Sequence, residues 1–202
     1  MVYELENIRK EFIKIRMMNL SVNFCMKCGS QMGLREIDGV ERKACSSCEF
    51  VYWGDYSIGV GGLVIRENKI LLVKRAHDPG KGYWTNPGGY IEQFENIEET
   101  IQREVKEEAG ITARVNRIVA LRDLPRHIHN VYIAFTMDYI NGEPVPDGIE
   151  SDEAGFYTLE EIEQMNVAPF TRWLVKIAFE SNENGLQKDE ITVLKDSFLF
   201  SV

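Results

Sequence analysis

The sequence predicts an α/β or α+β domain with a small metal-held module ahead of it. Three observations carry that expectation. From Tyr56 onward, short apolar runs such as 60–65 and 70–73 alternate with segments of helical period. All four cysteines fall as two Cys-x2-Cys pairs in a polar, glycine-containing stretch between Asn23 and Phe50. Before that stretch, Leu5, Ile8, Phe12 and Ile15 recur at steps of three and four, the period of an amphipathic helix. The expected division is 1–22 for that helix, 23–56 for the cysteine ribbon and 57–202 for the main domain.

In chain order, the first helix is expected over 4–18, its apolar stripe docked on the body of the protein or on a second subunit. The stretch that follows reads as knuckles and a hairpin with almost no core. Strands are predicted over 57–66 and 69–75, joined by a turn at Glu67-Asn68, and 80–89 reads as a loop of glycine, proline and aromatics. A helix follows over 96–109: Asn96 caps it, Glu99 completes a capping box, and Gly110 closes it. Further strands are expected at 114–122, 131–139 and 155–158, helices at 159–165 and 171–180, and a last strand near 191–199. The stretch 142–148 is the best candidate for an exposed loop.

Composition narrows the class. The chain has 202 residues, 44% hydrophobic and 27% charged, with a net charge of −9. No apolar run approaches the roughly 20 residues that span a bilayer, and the first residues are charged where a signal peptide is apolar, so a cytoplasmic protein is expected. Residues 1–56 hold 8 Lys+Arg against 8 Asp+Glu, and 57–202 hold 15 against 24, so the acidic excess lies in the main domain. Such a domain is a poor general binder of nucleic-acid backbones. It needs bound cations to handle phosphates.

Cys25 and Cys28, then sixteen residues, then Cys45 and Cys48 have the spacing of a tetrahedral four-thiolate site. Gly29 frees the backbone to wrap its amides toward the sulfurs. In a piece this small the metal replaces the missing core. Disulfides are disfavoured in a reducing compartment. Iron in the same geometry is the alternative to Zn²⁺; the short intervening segment and Glu49 after Cys48 favour zinc. Four sulfurs leave no open position, so the role is structural. Lys27, Arg35, Arg42 and Lys43 are balanced by Glu36, Asp38, Glu41 and Glu49, which leaves this unit little footprint for a nucleic acid.

The chemistry lies in the predicted helix over 96–109. Glu104, Glu107 and Glu108 stand at i, i+3 and i+4, so their carboxylates share one narrow face beside Ile97, Ile101 and Val105. Like charges so placed repel. The wider pattern is Gly89, five residues, Glu95, seven residues, then Arg103-Glu104-Val105-Lys106-Glu107-Glu108-Ala109-Gly110-Ile111. This resembles the Nudix hydrolase signature at every fixed position, and the resemblance covers roughly 57–166.

The resemblance implies the Nudix α/β/α sandwich with a mixed sheet. It further implies hydrolysis of a nucleoside diphosphate linked to another moiety, with Mg²⁺ or Mn²⁺ on Glu104, Glu107 and Glu108. Gly89 would turn the loop closely at the site, with Gly88 beside it, and Glu95 and Arg103 would pair to hold loop against helix. The carboxylate that takes the proton of the attacking water is expected to be Glu104, or Glu150 or Glu153 in the acidic loop. Arg75, at the end of a strand leading to the site, is the candidate phosphate contact, alongside Gly88 and Gly89.

A four-cysteine ribbon directly before such a domain resembles two groups, the ADP-ribose/FAD pyrophosphatases and the NADH pyrophosphatases. The latter carry a Ser-Gln-Pro-Trp element that 113–135 lacks, whereas Asp123-Leu124-Pro125 followed by Tyr132 and Phe135 resembles the former. The expected ligand is therefore a nucleotide-derived small molecule, and a homodimer is expected from the resemblance. A nucleotide sensor without turnover is the alternative of another class, disfavoured by the full glutamate set. Tyr83, Trp84, Tyr90 and Phe94 are candidate base-stacking residues, Trp84 rather as core. His127 and His129 read as surface residues.

Overall fold

The computed structural model describes residues 22–179, 187–188 and 198–201. The helix expected over 4–18 and the stretch 191–197 of the last strand lie outside the described residues. The chain divides into two compact units, Met1–Asp55 and Tyr56–Val202.

In the first unit, strands β1 (Met32–Ile37) and β2 (Val40–Cys45) pair antiparallel from Met32↔Cys45 to Ile37↔Val40. Their two-residue link, Asp38-Gly39, has positive φ at both positions (52° and 74°), as a tight hairpin turn with the strands' own twist requires. Among its described residues the buried apolar set is only Cys25, Met32, Ala44, Cys45 and Tyr52. So small a core stabilises little by itself.

The second unit is built on one mixed nine-stranded sheet. Its elements are β3 (Asp55–Arg66), β4 (Lys69–Arg75), β5 (Trp84–Thr85), β6 (Gly88–Tyr90), α1 (Ile97–Ala109), β7 (Thr112–Leu124) and β8 (Ile128–Asn141), followed by β9 (Ser151–Tyr157), α2 (Leu159–Gln164), α3 (Pro169–Ile177), β10 (Gln187–Lys188) and β11 (Phe198–Ser201). The strand order is β10-β11-β7-β8-β3-β4-β5, with β6 also paired to β3 and β9 to β4.

Strand alternation divides the core into two layers. Val60 and Val64 of β3 and Leu71 and Val73 of β4 pack with Ile101, Val105 and Ala109 of α1. Leu63 and Leu72, from the same strands, face the other way, toward Ile162 of α2 and Trp173, Leu174 and Ile177 of α3. The result is an α/β/α sandwich. Each buried Leu, Ile or Val contributes about 1.5–3 kcal/mol relative to exposure. Gly62 lets α1 settle closely, since a β-carbon there would lie 2.7 Å from Met137 Sδ and 3.0 Å from Val105 Cγ2.

Several boundaries differ from the sequence reading, each for a physical reason. The stretch 80–89, read as loop, contains β5 and most of β6, because glycine lets the backbones approach: a β-carbon on Gly88 would fall on the Val60 carbonyl. β7 and β8 outrun 114–122 and 131–139 because antiparallel pairing continues from Thr112↔Asn141 to Leu124↔Asn130 through polar residues. β9 begins at Ser151 rather than at 155, its acidic residues being carried on a strand paired to β4. α3 begins at Pro169, whose fixed φ suits a first helical turn, and ends at Ile177. The last strand includes Phe198–Ser201, beyond the 199 expected, in register with β7.

Candidate functional site

Local sequence makes α1 a well-defined platform. The Asn96 side chain accepts from the amides of Glu98 and Glu99 at 3.1 and 2.9 Å, while Glu99 accepts from the Asn96 amide at 3.3 Å. At the other end Gly110 takes φ 70° and donates to Lys106 O at 3.0 Å. Residues 142–148, expected as an exposed loop, run past this end, where the Val145 amide caps Ala109 O at 3.0 Å. The helix is thereby fixed at both ends, and with it the glutamate face.

Arg103 organises one side of that face. It donates to both Glu95 oxygens from Nε and Nη2, at 2.8 and 2.9 Å, and from Nη1 to Glu104 and Glu107 at 2.8 and 2.9 Å. Glu95 also accepts from the Thr100 hydroxyl at 3.1 Å, and the Arg103 guanidinium holds its carboxyl below the usual range. Burial pushes the Glu104 carboxyl up, against the pull of Arg103. Glu104 lies against the β6 backbone: a β-carbon on Gly89 would overlap its carboxylate.

Among the described residues Glu108 is the most deeply placed acid, 9% exposed. Its carboxylate accepts from the Gly88 amide at 3.2 Å. Desolvation pushes its pKa up to about 8; the Gly88 amide opposes the shift, and the charges of Glu104 and Glu150 add to it. A buried carboxylate with so little compensation is a strong ligand for a cation. A cavity of about 230 Å³ opens beside it, lined by Val73, Arg75, His77, Thr85, Asn86, Gly88, Glu108 and Glu150.

The structure thus gathers the expected residues in two adjoining sets. Glu95, Glu104 and Glu107 surround Arg103, and Glu108, Glu150, Arg75 and Gly88 surround the cavity. Arg75 is steadied there by donation from Nε to Pro79 O at 2.9 Å. Glu153, expected as a catalytic carboxylate, takes a different position from Glu150. It is paired with Lys74 at 2.7 Å and does not line the cavity. Register explains this: its neighbours on β9, Ala154 and Phe156, pack on the α1 side, so Glu153 projects to the opposite face.

Some lining residues were not singled out from the sequence. His77 follows Arg75 by two, and that spacing, continued past the strand end, is its one sequence signal. Asn86 is buried and connects distant elements: its amide donates to Tyr132 Oη at 3.0 Å, and its carbonyl accepts from Thr171 Oγ1 at 3.1 Å. Among the candidate stacking residues, Trp84 packs edge-on against Tyr157 at 5.0 Å, whereas Tyr83, Tyr90 and Phe94 are exposed. His129 pairs with Asp123 and stacks on Tyr56, while His127 is exposed.

In the first unit the four thiols are free, with Cys25 Sγ 3.7 Å from Cys48 Sγ and Cys28 Sγ 3.5 Å from Cys45 Sγ. All four sulfurs lie within 4.8 Å of one another, a cluster gathered tightly enough to hold a metal. Four sulfurs placed tetrahedrally about 2.3 Å from zinc are about 3.8 Å apart, so the set fits that ion. The amides of Lys27 and Ser47 approach Cys25 and Cys45 Sγ at 3.3 Å each, which suits thiolates.

An α/β/α sandwich whose capped glutamate helix faces a Gly-Gly strand and an acid-lined cavity defines the Nudix class. The chain belongs to that family: the NUDIX domain matches residues 55–176, more than half of its length. It is 35% identical over 112 residues to a Methanocaldococcus jannaschii protein named ADP-ribose pyrophosphatase, covering 54% of this chain and 66% of that one. It is 29% identical over 139 residues to the NAD-capped RNA hydrolase NudC of Stutzerimonas stutzeri, covering 69% and 49%. The chain therefore spans about half to two thirds of the length of these curated relatives. A crystal structure of a NUDIX hydrolase from Nitrosomonas europaea superimposes with a TM-score of 0.69 at 32% identity, covering 77% of this chain and 89% of that one.

Proposed function

We propose that the protein is a pyrophosphohydrolase of nucleoside diphosphates linked to another moiety, with ADP-ribose or an FAD-like dinucleotide as substrate. Its products are a nucleoside monophosphate and a phosphorylated remainder. The observation that carries this reading is the buried Glu108 carboxylate at the wall of the cavity, beside Arg75 and Glu150. The M. jannaschii relative's name supports the choice of ADP-ribose.

Glu104, Glu107 and Glu108 would hold Mg²⁺ or Mn²⁺, an assignment that suits their hard oxygen donors. When bound, such an ion neutralises pyrophosphate oxygens and acidifies a water. The remaining steps belong to the chain itself. Arg75 orients a phosphate oxygen in the cavity, and the Gly88-Gly89 backbone shapes its edge. Glu150 accepts the proton of the water that attacks phosphorus, and the bridging P–O bond breaks toward the leaving phosphate. Zn²⁺ on Cys25, Cys28, Cys45 and Cys48 is structural.

A dinucleotide of the NADH type is the second reading, favoured by the match to NudC, whose 139 residues exceed the NUDIX domain itself. The net charge of −9 speaks for a small dinucleotide rather than a long RNA. A cytoplasmic homodimer accompanies this proposal, and analytical ultracentrifugation tests its dimeric part. The decisive experiment measures phosphomonoester release from ADP-ribose, FAD, NADH and diadenosine polyphosphates with Mg²⁺ or Mn²⁺. Release from ADP-ribose or FAD above the others is expected; binding without turnover across the panel would make the protein a sensor.

A further inference from the structure

The segment that brings Glu150 to the cavity is held by an arrangement that the catalytic reading leaves unused. The Asp147 carboxylate gathers three successive amides: Oδ1 accepts from Ile149 and Glu150 at 3.0 Å each and from Ser151 at 2.8 Å. Oδ2 takes a second contact from the Glu150 amide at 3.2 Å. Desolvation alone would raise the Asp147 carboxyl, yet these amides hold it below its usual range.

The loop is also tied to both neighbouring walls. Ser151 is 1% exposed, and its hydroxyl proton reaches the Glu108 carbonyl at 2.7 Å, on the last turn of α1. The same oxygen accepts from the Asp147 amide at 3.2 Å and lies 3.0 Å from Asp147 Oδ1. On the other side, Glu150 O accepts from the amide of Ala76, between Arg75 and His77, at 2.9 Å. One five-residue turn therefore joins the glutamate helix to the strand end that carries Arg75 and His77.

We propose that Asp147 and Ser151 are positioning residues that set Glu150 at a fixed place relative to Glu108. This rests on the reading of Glu150 as the acceptor of the water's proton. Left to itself, an exposed glutamate on a loop samples many positions, and a displacement of about 1 Å in a catalytic group costs on the order of 100-fold in rate. The turn removes that freedom with backbone bonds that do not involve the Glu150 side chain, which stays free to work in the cavity.

Two measurements on the full chain test it: steady-state hydrolysis of ADP-ribose, and amide hydrogen exchange of the metal-free protein. Asp147→Ala should lower kcat about 10- to 100-fold with KM little changed, and residues 149–151 should exchange faster while α1 does not. Asp147→Asn keeps an acceptor oxygen and should stay within about threefold of the native rate. Ser151→Ala should loosen the same amides and serves if Asp147→Ala fails to fold. Because Asp147 acts through Glu150, Asp147→Ala combined with Glu150→Gln should be no slower than Glu150→Gln alone. Multiplicative losses, or unchanged exchange at 149–151, would overturn the proposal. A native rate for Glu150→Gln would instead sink the catalytic reading of Glu150, and exchange would still decide whether the turn is a clamp.

Discussion

Gly89 and Glu104 occupy one space: the β6 backbone at Gly89 passes so close to α1 that a β-carbon would overlap the Glu104 carboxylate. The glycine is needed for what sits next to it rather than for its own dihedral angles. Gly89→Ala should therefore displace Glu104 and lower kcat about 10- to 100-fold with the fold intact. Gly33→Ala is the control, since nothing lies within 4 Å of its ideal β-carbon. Parallel steady-state kinetics and circular dichroism of the two variants check this. Equal rates would mean that Glu104 need not be held where it is.

The opposite fates of two glutamates give a second test. Glu108 is buried beside the cavity, whereas Glu153 is a half-exposed partner of Lys74. Glu108→Gln should reduce turnover by at least about 100-fold and weaken Mn²⁺ binding. Glu153→Gln loses only a surface ion pair, worth up to about 1 kcal/mol, and should keep the native rate within about twofold. Turnover combined with Mn²⁺ titration by electron paramagnetic resonance separates them.

Burial of Glu108 also implies a pH dependence of stability in the metal-free protein. Its carboxyl, ordinarily at 4.5, is pushed up to about 8 in the folded chain, so the native state binds more protons than the unfolded state between those values. The stability it contributes is complete below the unfolded pKa and is lost as pH rises through the folded one. With chelator present, melting temperature should fall from about pH 6 to about pH 8, and Glu108→Gln should flatten that slope. Mg²⁺ should restore stability most at the upper pH, because a cation binds the ionised form. Calorimetry at both pH values checks the sign.

The glutamate helix was legible in the sequence because what specifies it is local. Asn96, Glu99 and Gly110 set its ends, and a spacing of three and four sets its face. The cysteine cluster was legible for the same reason. The side of the sheet that Glu153 takes is not legible in the sequence, because it depends on pairing with Lys74, 79 residues away, and a one-residue change of register reverses that side. Asn86 escaped notice because its partners, Tyr132 and Thr171, lie 46 and 85 residues away. Pattern reading recovers chemistry carried on one element; a cavity assembled from strand ends and loops needs the tertiary structure.

The ribbon supplies the last prediction, because its stability should depend on metal far more than that of the sheet. Among its described residues the buried apolar set is Cys25, Met32, Ala44, Cys45 and Tyr52, so two of the five are proposed ligands and little core remains without them. A structural zinc site contributes on the order of 10 kcal/mol to folding of such a module. Cys25→Ser should release the metal and raise hydrogen exchange throughout 23–50, while α1, held by its own caps and the Val60, Val105 and Phe135 core, keeps its protection. Atomic absorption on the purified chain should find one zinc per native protein and none in the variant. Full metal content in Cys25→Ser would reject the four-sulfur assignment, and iron in the native protein would replace zinc while leaving the structural role intact.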